Sequence, residues 1–366
     1  MEKIRLIAVV GPTASGKTAL AVELAKKFDG EVISADSMQV YREMQVATAK
    51  PTKGEMQGIP HHLIDYVEPE EPYSLARYVE DAKAAGLTFT FGTEMEFYLF
   101  RRDEDGQPTR IPYDDAGYMD IAPADKGENV RREVCLTLER MGIRPESSHH
   151  EEGPGQNEID FRYADPITAA DNAVTFRAVV DAVAARNGLY ADFGPKPLEN
   201  QPGNGMHINF SVAGEERRDV MPAAIAGVMA HCGEMTAFLN PTDASYSRFG
   251  GYKAPRYISW SAENRSQLIR VPAAEGEYRR AELRSPDPLC NPYLAFTLLI
   301  RAGMEGIAGD MQLPPAADLN LYAAPAEVQA QYQPLPETRT AAKAAAAVSE
   351  FIAASLPETV IRHYTR

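Results

Sequence analysis

Near residue 85 the hydrophobic period of this chain changes, and no single sheet architecture absorbs both sides of the change. Upstream, an apolar run at 4–10 leads into the loop GPTASGKT, the helical stretch ALAVELAKKF, a short run at 31–35, and HHLIDYV at 61–67. That order of strand, glycine loop, helix and strand predicts an α/β fragment that begins a parallel βαβ unit. SLARYVEDAKAA (74–85) opens at Ser74 and places Leu75, Tyr78, Val79 and Ala82 at helical spacing. Downstream, LTFTFGTEMEFYLF, NEIDFRY, GMHINFSV, QLIRVP and YRRAELR alternate with period two between long helical stretches at 172–187 and 218–239. This predicts an α+β domain, an antiparallel sheet with helices. The alanine-rich stretch 339–356 reads as a surface helix closed by Pro357. The expected division is 1–85 and 86–366, with no Gly/Ser-rich linker at the seam.

Charge narrows the function classes. Lys and Arg number 37 against 52 Asp and Glu, a net charge of −15, and both parts share the acidic excess. Neither has the basic footprint that binding a nucleic-acid backbone requires, whereas an acidic surplus suits divalent cations. With 44% hydrophobic and 24% charged residues the composition is globular. No apolar run reaches the roughly 18 to 20 residues of a membrane span, and the opening stretch lacks a signal-peptide pattern, so no membrane partner and a cytoplasmic location are expected. Cys135, Cys232 and Cys290 lie far apart, against a disulfide framework or a structural zinc site.

Gly11-Pro-Thr-Ala-Ser-Gly16-Lys17-Thr18 satisfies G-x-x-x-x-G-K-[ST] between a predicted strand and a predicted helix. Backbone N–H groups of such a loop cradle phosphates, Lys reaches the outer ones and the Thr hydroxyl holds Mg²⁺, so Gly11, Ser15, Gly16, Lys17 and Thr18 are nucleotide-binding candidates. Asp36-Ser-Met-Gln-Val-Tyr41, TAKPT (48–52) and PHHLID (60–65) follow. Together these four segments resemble the N-terminal part of bacterial tRNA dimethylallyltransferase over about residues 3–82. The resemblance implies Asp36 as general base toward an adenine amine, Gln39 as a base-reading contact, and tRNA and dimethylallyl diphosphate as partners if the segment is functional. Taken alone, Asp36 reads as an ordinary helix N-cap. The later half of that family is not recognisable after residue 85, so the segment is expected to be marginal by itself.

Acidic, histidine and arginine side chains concentrate on the predicted strands of the long part. Glu94 and Glu96 share one face by period two, and Glu151, Glu158, His207 and Glu282 lie on four further segments. Five carboxylates and one imidazole suit a hard divalent cation, Mg²⁺ or Mn²⁺, better than zinc. For any single glutamate, a solvated strand edge is the plainer reading. The ordered motifs E-x-E-F, HHE with G-Q-N-E, G-M-H, S-Y-x-R, W-S-x-x-N-R-S with I-R-x-P, and R-x-E-x-R-x-P-D resemble the catalytic domain of glutamine synthetase across 86–366.

That resemblance implies ATP-driven joining of glutamate and ammonium through γ-glutamyl phosphate, with two metals per site. It assigns Glu96, Glu151 and Glu158 to one metal, and Glu94, His207 and Glu282 to the other. Arg265, Arg270 and Arg280 would face phosphate, while Arg248 and Arg284 would hold the carboxylates of glutamate. Gly203 falls on the loop that approaches the amino acid, Glu146 matches a nucleotide contact, and Asn209 and Ser211 lie where adenine-side contacts are expected. A homo-oligomer is implied as well.

Three departures from the family pattern bear on activity. The P-loop segment stands where the family has a β-grasp domain that completes a neighbouring subunit's site. Lys253 in GGYKAP replaces a flap glutamate, and Asn209 replaces a common histidine. A second cation about 4 Å from ammonium costs roughly 4 kcal/mol at intermediate dielectric, so poor ammonium capture and impaired ligase activity are expected. Tyr322 falls where some relatives carry a modified tyrosine, and reads here as a plain surface residue. The sequence thus describes a synthetase catalytic domain joined to a piece of a tRNA-modifying enzyme. A tRNA dimethylallyltransferase carrying a scaffold, or a non-catalytic protein that binds ATP and metal, are the alternatives.

Overall fold

The computed structural model describes residues 7, 9, 17–28, 30–33, 51–62, 74–214, 219–262, 264–274, 276 and 279–366. They fall into two compact units, Met1–Pro72 and Tyr73–Arg366. In the first, α1 (Lys17–Phe28), β1 (Val32–Ile33), α2 (Lys53–Met56) and β2 (His61–His62) follow in order. β1 and β2 pair in parallel, Val32 opposite His61, as expected between two strands of a βαβ arrangement. Lys17 and Thr18 form the first residues of α1, and Val22 and Ala25 are its buried positions. The expected strand at 4–10 lies largely outside the described residues, as do the candidates Gly11, Ser15, Gly16, Asp36 and Gln39.

The second unit opens with α3 (Leu75–Ala84), β3 (Leu87–Arg102), β4 (Pro108–Pro112), α4 (Glu128–Arg140), β5 (Pro145–His150) and β6 (Gln156–Phe161). Next come α5 (Pro166–Arg186), β7 (Leu189–Asp192), β8 (Met206–Gly214), α6 (Met221–Leu239), α7 (Asp243–Tyr246), β9 (Trp260–Ser261) and β10 (Ile269–Arg270). β11 (Ala281–Leu283), α8 (Pro292–Ala308), α9 (Ala326–Gln329), α10 (Arg339–Ala347), α11 (Glu350–Ser355) and α12 (Glu358–Thr365) complete it. Its strands form one sheet in the order β5-β6-β3-β8-β11-β10-β9, with β4 and β7 also paired to β3. Every pairing is antiparallel except that of β9 with β10, so the expected antiparallel sheet is in fact mixed at one edge.

β3 is the central strand and its alternation organises the domain. Phe89, Phe91, Met95, Phe97 and Leu99 are buried with Ile208 and Phe210 of β8 and with Phe176 and Phe296 of α5 and α8. Phe91 and Phe296 stack with ring centroids 4.4 Å apart. A one-residue slip of β3 would exchange this apolar set for its glutamates, so burial of one face fixes the register.

α3 shifts the seam. Ser74 caps it, its hydroxyl accepting from Arg77 N at 3.3 Å. Leu75, Tyr78, Val79 and Ala82 then enter the same core as β3, and the Tyr78 hydroxyl donates to the Ser355 carbonyl at 2.6 Å. The packing boundary therefore precedes the change of period at 85/86, because the apolar face of this helix is covered by the second unit. Gly86, at φ +72°, makes the left-handed turn from α3 into β3 that a side chain would resist.

The stretch 339–356 differs from its expected form. It is two helices, α10 and α11, interrupted at Val348 and Ser349, and the Ser349 hydroxyl caps the second by accepting from Ile352 N at 3.0 Å. Ala342, Ala346, Phe351 and Ile352 are buried while Thr340, Ala341, Ala344 and Val348 are exposed, so the two helices lie at the surface with one face in the core. Pro357 is the N-cap residue of α12.

Candidate functional site

Strand register assembles the site. Glu94 of β3 stands opposite His207 of β8 on one side and Asp160 of β6 on the other, and Glu96 stands opposite Glu158. Glu282 of β11 faces Asn209 of β8, and Arg270 of β10 faces Glu282. Period two places these side chains on the sheet face opposite Met95, Phe97, Ile208 and Leu283.

This face carries a cleft of about 200 Å³. Its walls bring together all six expected metal ligands, Glu94, Glu96, Glu151, Glu158, His207 and Glu282. Gly203, Arg248, Arg265, Arg270 and Arg284 line the same cleft. His207 Nδ1 lies 3.0 Å from Glu94 Oε2 and 3.5 Å from Glu282 Oε1, and its Nε2 lies 4.0 Å from Glu96 Oε1. His149 Nε2 lies 3.2 Å from Glu151 and 3.7 Å from Glu158. Three donor groups result, Glu94–His207–Glu282, Glu96–Glu158–His207 and His149–Glu151–Glu158, each with its atoms within 4.8 Å of one another. The first is the expected second set. Glu96 and Glu151 fall in separate groups that share Glu158.

Burial and crowding set the charges. Burial raises the Glu158 carboxyl well above its ordinary range, and Asp160, Glu96, Glu94 and Glu151 push it the same way. Asp160 is pushed up to about 8, by burial first and then by Glu94. Burial also raises Glu96, although Gly205 N donates to it at 2.8 Å. Burial would raise Glu94 too, but bonds from His207 and Asn209 hold it down to about 2. Carboxylates forced toward protonation by one another form a donor set that a hard divalent cation would relieve, so these residues fit Mg²⁺ or Mn²⁺.

A second cleft of about 310 Å³ adjoins the first and shares Glu94 and Asp160 with it. Glu146, Asn209, Ser211 and Arg280, all expected on the nucleotide or phosphate side, line it. Arg280 Nε donates to Asn209 Oδ1 at 3.0 Å, Asn209 Nδ2 donates to Glu94 Oε1 at 2.9 Å, and the Thr90 and Ser211 hydroxyls are 2.7 Å apart. The row Ser211, Asn209, His207 on β8 thus runs from the second cleft into the first.

The arginines divide by accessibility. Arg265 lines the cleft with Tyr118, and Arg270 NH1 lies 3.1 Å from Glu282. Arg284 is buried in an ion pair with Glu282. Arg248 is 4% exposed and donates to the carbonyls of Asn204 and Ser285 and to Asn240 Oδ1. Its hydrogen bonds join three segments at the cleft wall. Gly203 is sterically required, since a Cβ there would lie 2.3 Å from Pro195 O and 2.7 Å from Arg248 Cγ.

Lys253 does not stand as a bare cation. Its Nζ lies 2.6 Å from Glu152 Oε1, which offsets the repulsion expected toward ammonium. The Tyr322 hydroxyl is buried without a hydrogen-bond partner among the described residues, unlike a plain surface tyrosine. Sequence reasoning missed Asp160, His149, Tyr118 and Gln156. Asp160 shares a strand face with Glu158 by the same period-two argument that found Glu94 and Glu96. Gln156 Nε2 donates to Glu96 Oε2 at 3.1 Å, a contact only the β3/β6 register reveals.

Residues 71–366 match the family model of the glutamine synthetase catalytic domain, and residues 39–89 match that of IPP transferase. The chain is 44% identical to a glutamine synthetase of Clostridium saccharobutylicum over 287 residues, 75% of this chain and 62% of that protein. It is 42% identical to a glutamine synthetase of Methanosarcina mazei over 308 residues, 80% of this chain and 69% of that protein. A solved structure described as a GmaS/ADP complex is similar with a TM-score of 0.71 and 27% identity, covering 80% of this chain and 70% of that one. The chain belongs to the glutamine synthetase catalytic-domain family. More particularly it is chimeric, with a segment matching IPP transferase running into that domain. It spans about three fifths of the length of the first of these curated relatives. The IPP transferase match begins after the phosphate loop at 11–18. No helix among the described residues is long and apolar enough to cross a membrane.

Proposed function

We propose that residues 86–366 form a glutamate–ammonia ligase-type catalytic domain that uses ATP to activate the γ-carboxylate of glutamate. The reading is carried by one observation: Glu94, His207 and Glu282 converge from three neighbouring strands at the junction of a charged cleft and a polar one. ATP would lie with its base toward Glu146, Asn209 and Ser211, and its phosphates toward Arg265, Arg270 and Arg280. A γ-carboxylate oxygen of glutamate attacks the γ-phosphorus, the bond to the β-phosphate oxygen breaks, and ADP leaves. Ammonia then attacks the acyl carbon and phosphate departs. Two divalent cations, when bound by Glu96, Glu151 and Glu158 and by Glu94, His207 and Glu282, would supply charge neutralisation and alignment of the phosphates. Arg284 is assigned to the substrate carboxylates, with Arg248 fixing the loops around it.

The ammonia step is proposed as the weaker half, because the residues that directly precede this domain match another family. Assembly into a homo-oligomer and a soluble cytoplasmic setting belong to the same proposal. For residues 1–85 the proposed identity is an N-terminal piece of a tRNA dimethylallyltransferase, in which Asp36, Gln39 and the Gly11–Thr18 loop would face adenine and diphosphate. No prenyl transfer to tRNA is expected from it.

The test is glutamate-dependent ADP release by the purified chain with Mn²⁺, alongside calorimetry of Mn²⁺ binding. Slow ADP release, below about 1 s⁻¹, is expected to vanish in His207→Ala. Mn²⁺ binding should weaken sharply in both His207→Ala and Glu96→Ala. ADP release that ignores glutamate, with Mn²⁺ binding unchanged in both variants, would refute the reading.

A further inference from the structure

One buried donor group lies outside both clefts. Asp114, Asp125 and His150 bring ligating atoms within 4.8 Å of one another, yet none of the three lines either cleft wall. No ion is needed to balance them. Arg131 donates to both oxygens of Asp125, at 3.2 and 2.6 Å. Both ring nitrogens of His150 are engaged as well, Nε2 2.9 Å from Asp114 Oδ1 and Nδ1 2.6 Å from the Glu151 carbonyl. The group is a closed hydrogen-bonded network, and what it holds is the turn between β5 and β6.

That turn separates two metal donors. Glu151 precedes it and Glu158 follows it on β6, where His149 stands opposite Glu158 and completes their donor group. Alternation along β5 sends His149 to the cleft and His150 to the far side of the hairpin, where it is fully buried. From there Asp114 grips the turn twice with one oxygen, Oδ1 accepting from His150 Nε2 and from Gly155 N, each at 2.9 Å. Its Oδ2 accepts from Lys126 N at 2.9 Å, which anchors the carboxylate. Gly155 is fixed on its other side too, its carbonyl accepting from Leu99 N of β3 at 2.8 Å. Its φ is +69°, and a Cβ there would lie 2.8 Å from Leu99 O. Burial would raise the Asp114 carboxyl, but its bonds to His150 and Lys126 hold it down to about 2, so it accepts as a carboxylate.

We propose that Asp114 is a positioning residue for one of the two metals: by joining His150 to Gly155 it fixes the spacing of Glu151 and Glu158 across the β5–β6 turn, without supplying a ligand of its own. The clamp stands on this geometry alone, while its service to a metal rests on the ligase reading above.

The experiment uses the full chain and Mn²⁺ alone as the probe, followed by calorimetry, with no turnover required. The wild type should bind two ions, and Glu151→Gln and Glu282→Gln identify which is which. In Asp114→Ala the ion assigned to Glu96, Glu151 and Glu158 should bind at least about tenfold more weakly, while the ion at Glu94, His207 and Glu282 binds as before. Asp114→Asn keeps one oxygen for His150 and Gly155 and should recover most of the loss, a rescue that general loosening of the fold would not give. Equal weakening of both ions, weakening of neither, or an Asn variant no better than the Ala variant would overturn the inference. A second measurement needs no variant and covers the case in which Asp114→Ala does not fold. Amide hydrogen exchange in the metal-free wild type should be slow at Gly155, whose N–H lies on the buried carboxylate. Exchange there as fast as in an exposed loop overturns the inference too. A wild type that binds no Mn²⁺ refutes the ligase reading and the inference together, whereas two ions bound equally well by wild type and Asp114→Ala refute the inference alone.

Discussion

The two faces of β3 answer opposite demands with alternate residues of one strand. Toward the helices, Phe91, Met95, Phe97 and Leu99 are fully buried among apolar neighbours. On the other face Glu94 and Glu96 crowd Glu158, and Glu94 and Glu282 crowd Asp160. The first face lowers the free energy of the folded chain as soon as it closes. The second raises it, since like charges are held together out of water. The contrast shows why the register is robust while the site is poised: the apolar face fixes where the carboxylates stand, whatever they prefer.

Three measurements would break or sharpen this contrast. Phe91→Ala removes the ring stacked on Phe296 and should cost about 3–5 kcal/mol in denaturant unfolding; a loss under about 1 kcal/mol would show that the apolar face does not set the fold. A smaller effect concerns the metal-free chain. Glu158 and Asp160 have folded-state pKa values above those of an unfolded chain, Asp160 at about 8. Between about 4 and about 8 the folded state therefore holds protons that the unfolded state releases. Their contribution is fully present below the unfolded values and is lost as pH rises through the folded ones. Thermal stability without metal should thus fall across this window, with the slope reduced by Asp160→Asn or by Mn²⁺. A flat profile would contradict the crowding. The smallest effect lies on neither face. Asp165 caps α5, accepting from Ile167 N and Thr168 N, each at 3.2 Å. Asp165→Ala should cost about 1 kcal/mol and leave Mn²⁺ binding untouched. Burial tends to raise this carboxyl, but its bonds to Thr168 and Ile167 keep it lowered, so its contribution fades as pH falls through the folded value.

Much of the second unit is legible in the sequence because its strands are long enough to show a period. β3, β6 and β8 announce themselves by alternation, and α3 by its cap and its spaced apolar residues. β10 and β11 were expected from the alternation in QLIRVP and YRRAELR but are shorter than those stretches, whereas β9, with two residues, is too short to carry a period and exists because β10 supplies its partner. The break at Val348 and Ser349 was hidden by the helix propensity of the alanines on either side. In the site, spacing placed Glu94 and Glu96 on one face and the resemblance supplied the two ligand sets, whereas His149 and Gln156 depend on register between strands, which spacing does not encode. Lys253 was visible as a departure, but the carboxylate that neutralises it lies in a distant turn.

The hydrogen bond from Tyr78 to the Ser355 carbonyl joins residues 277 positions apart. During synthesis, α3 leaves the ribosome long before α11 exists. Its apolar side packs mainly on β3, α5 and α8, so much of it must wait, exposed or held by a chaperone, until α8 has been added. The same helix lies within 71–89, the stretch that both family models match. The two matches overlap on a helix whose apolar face is packed within the second unit. A chain that ended before α8 would leave much of that face uncovered and open to association with other chains.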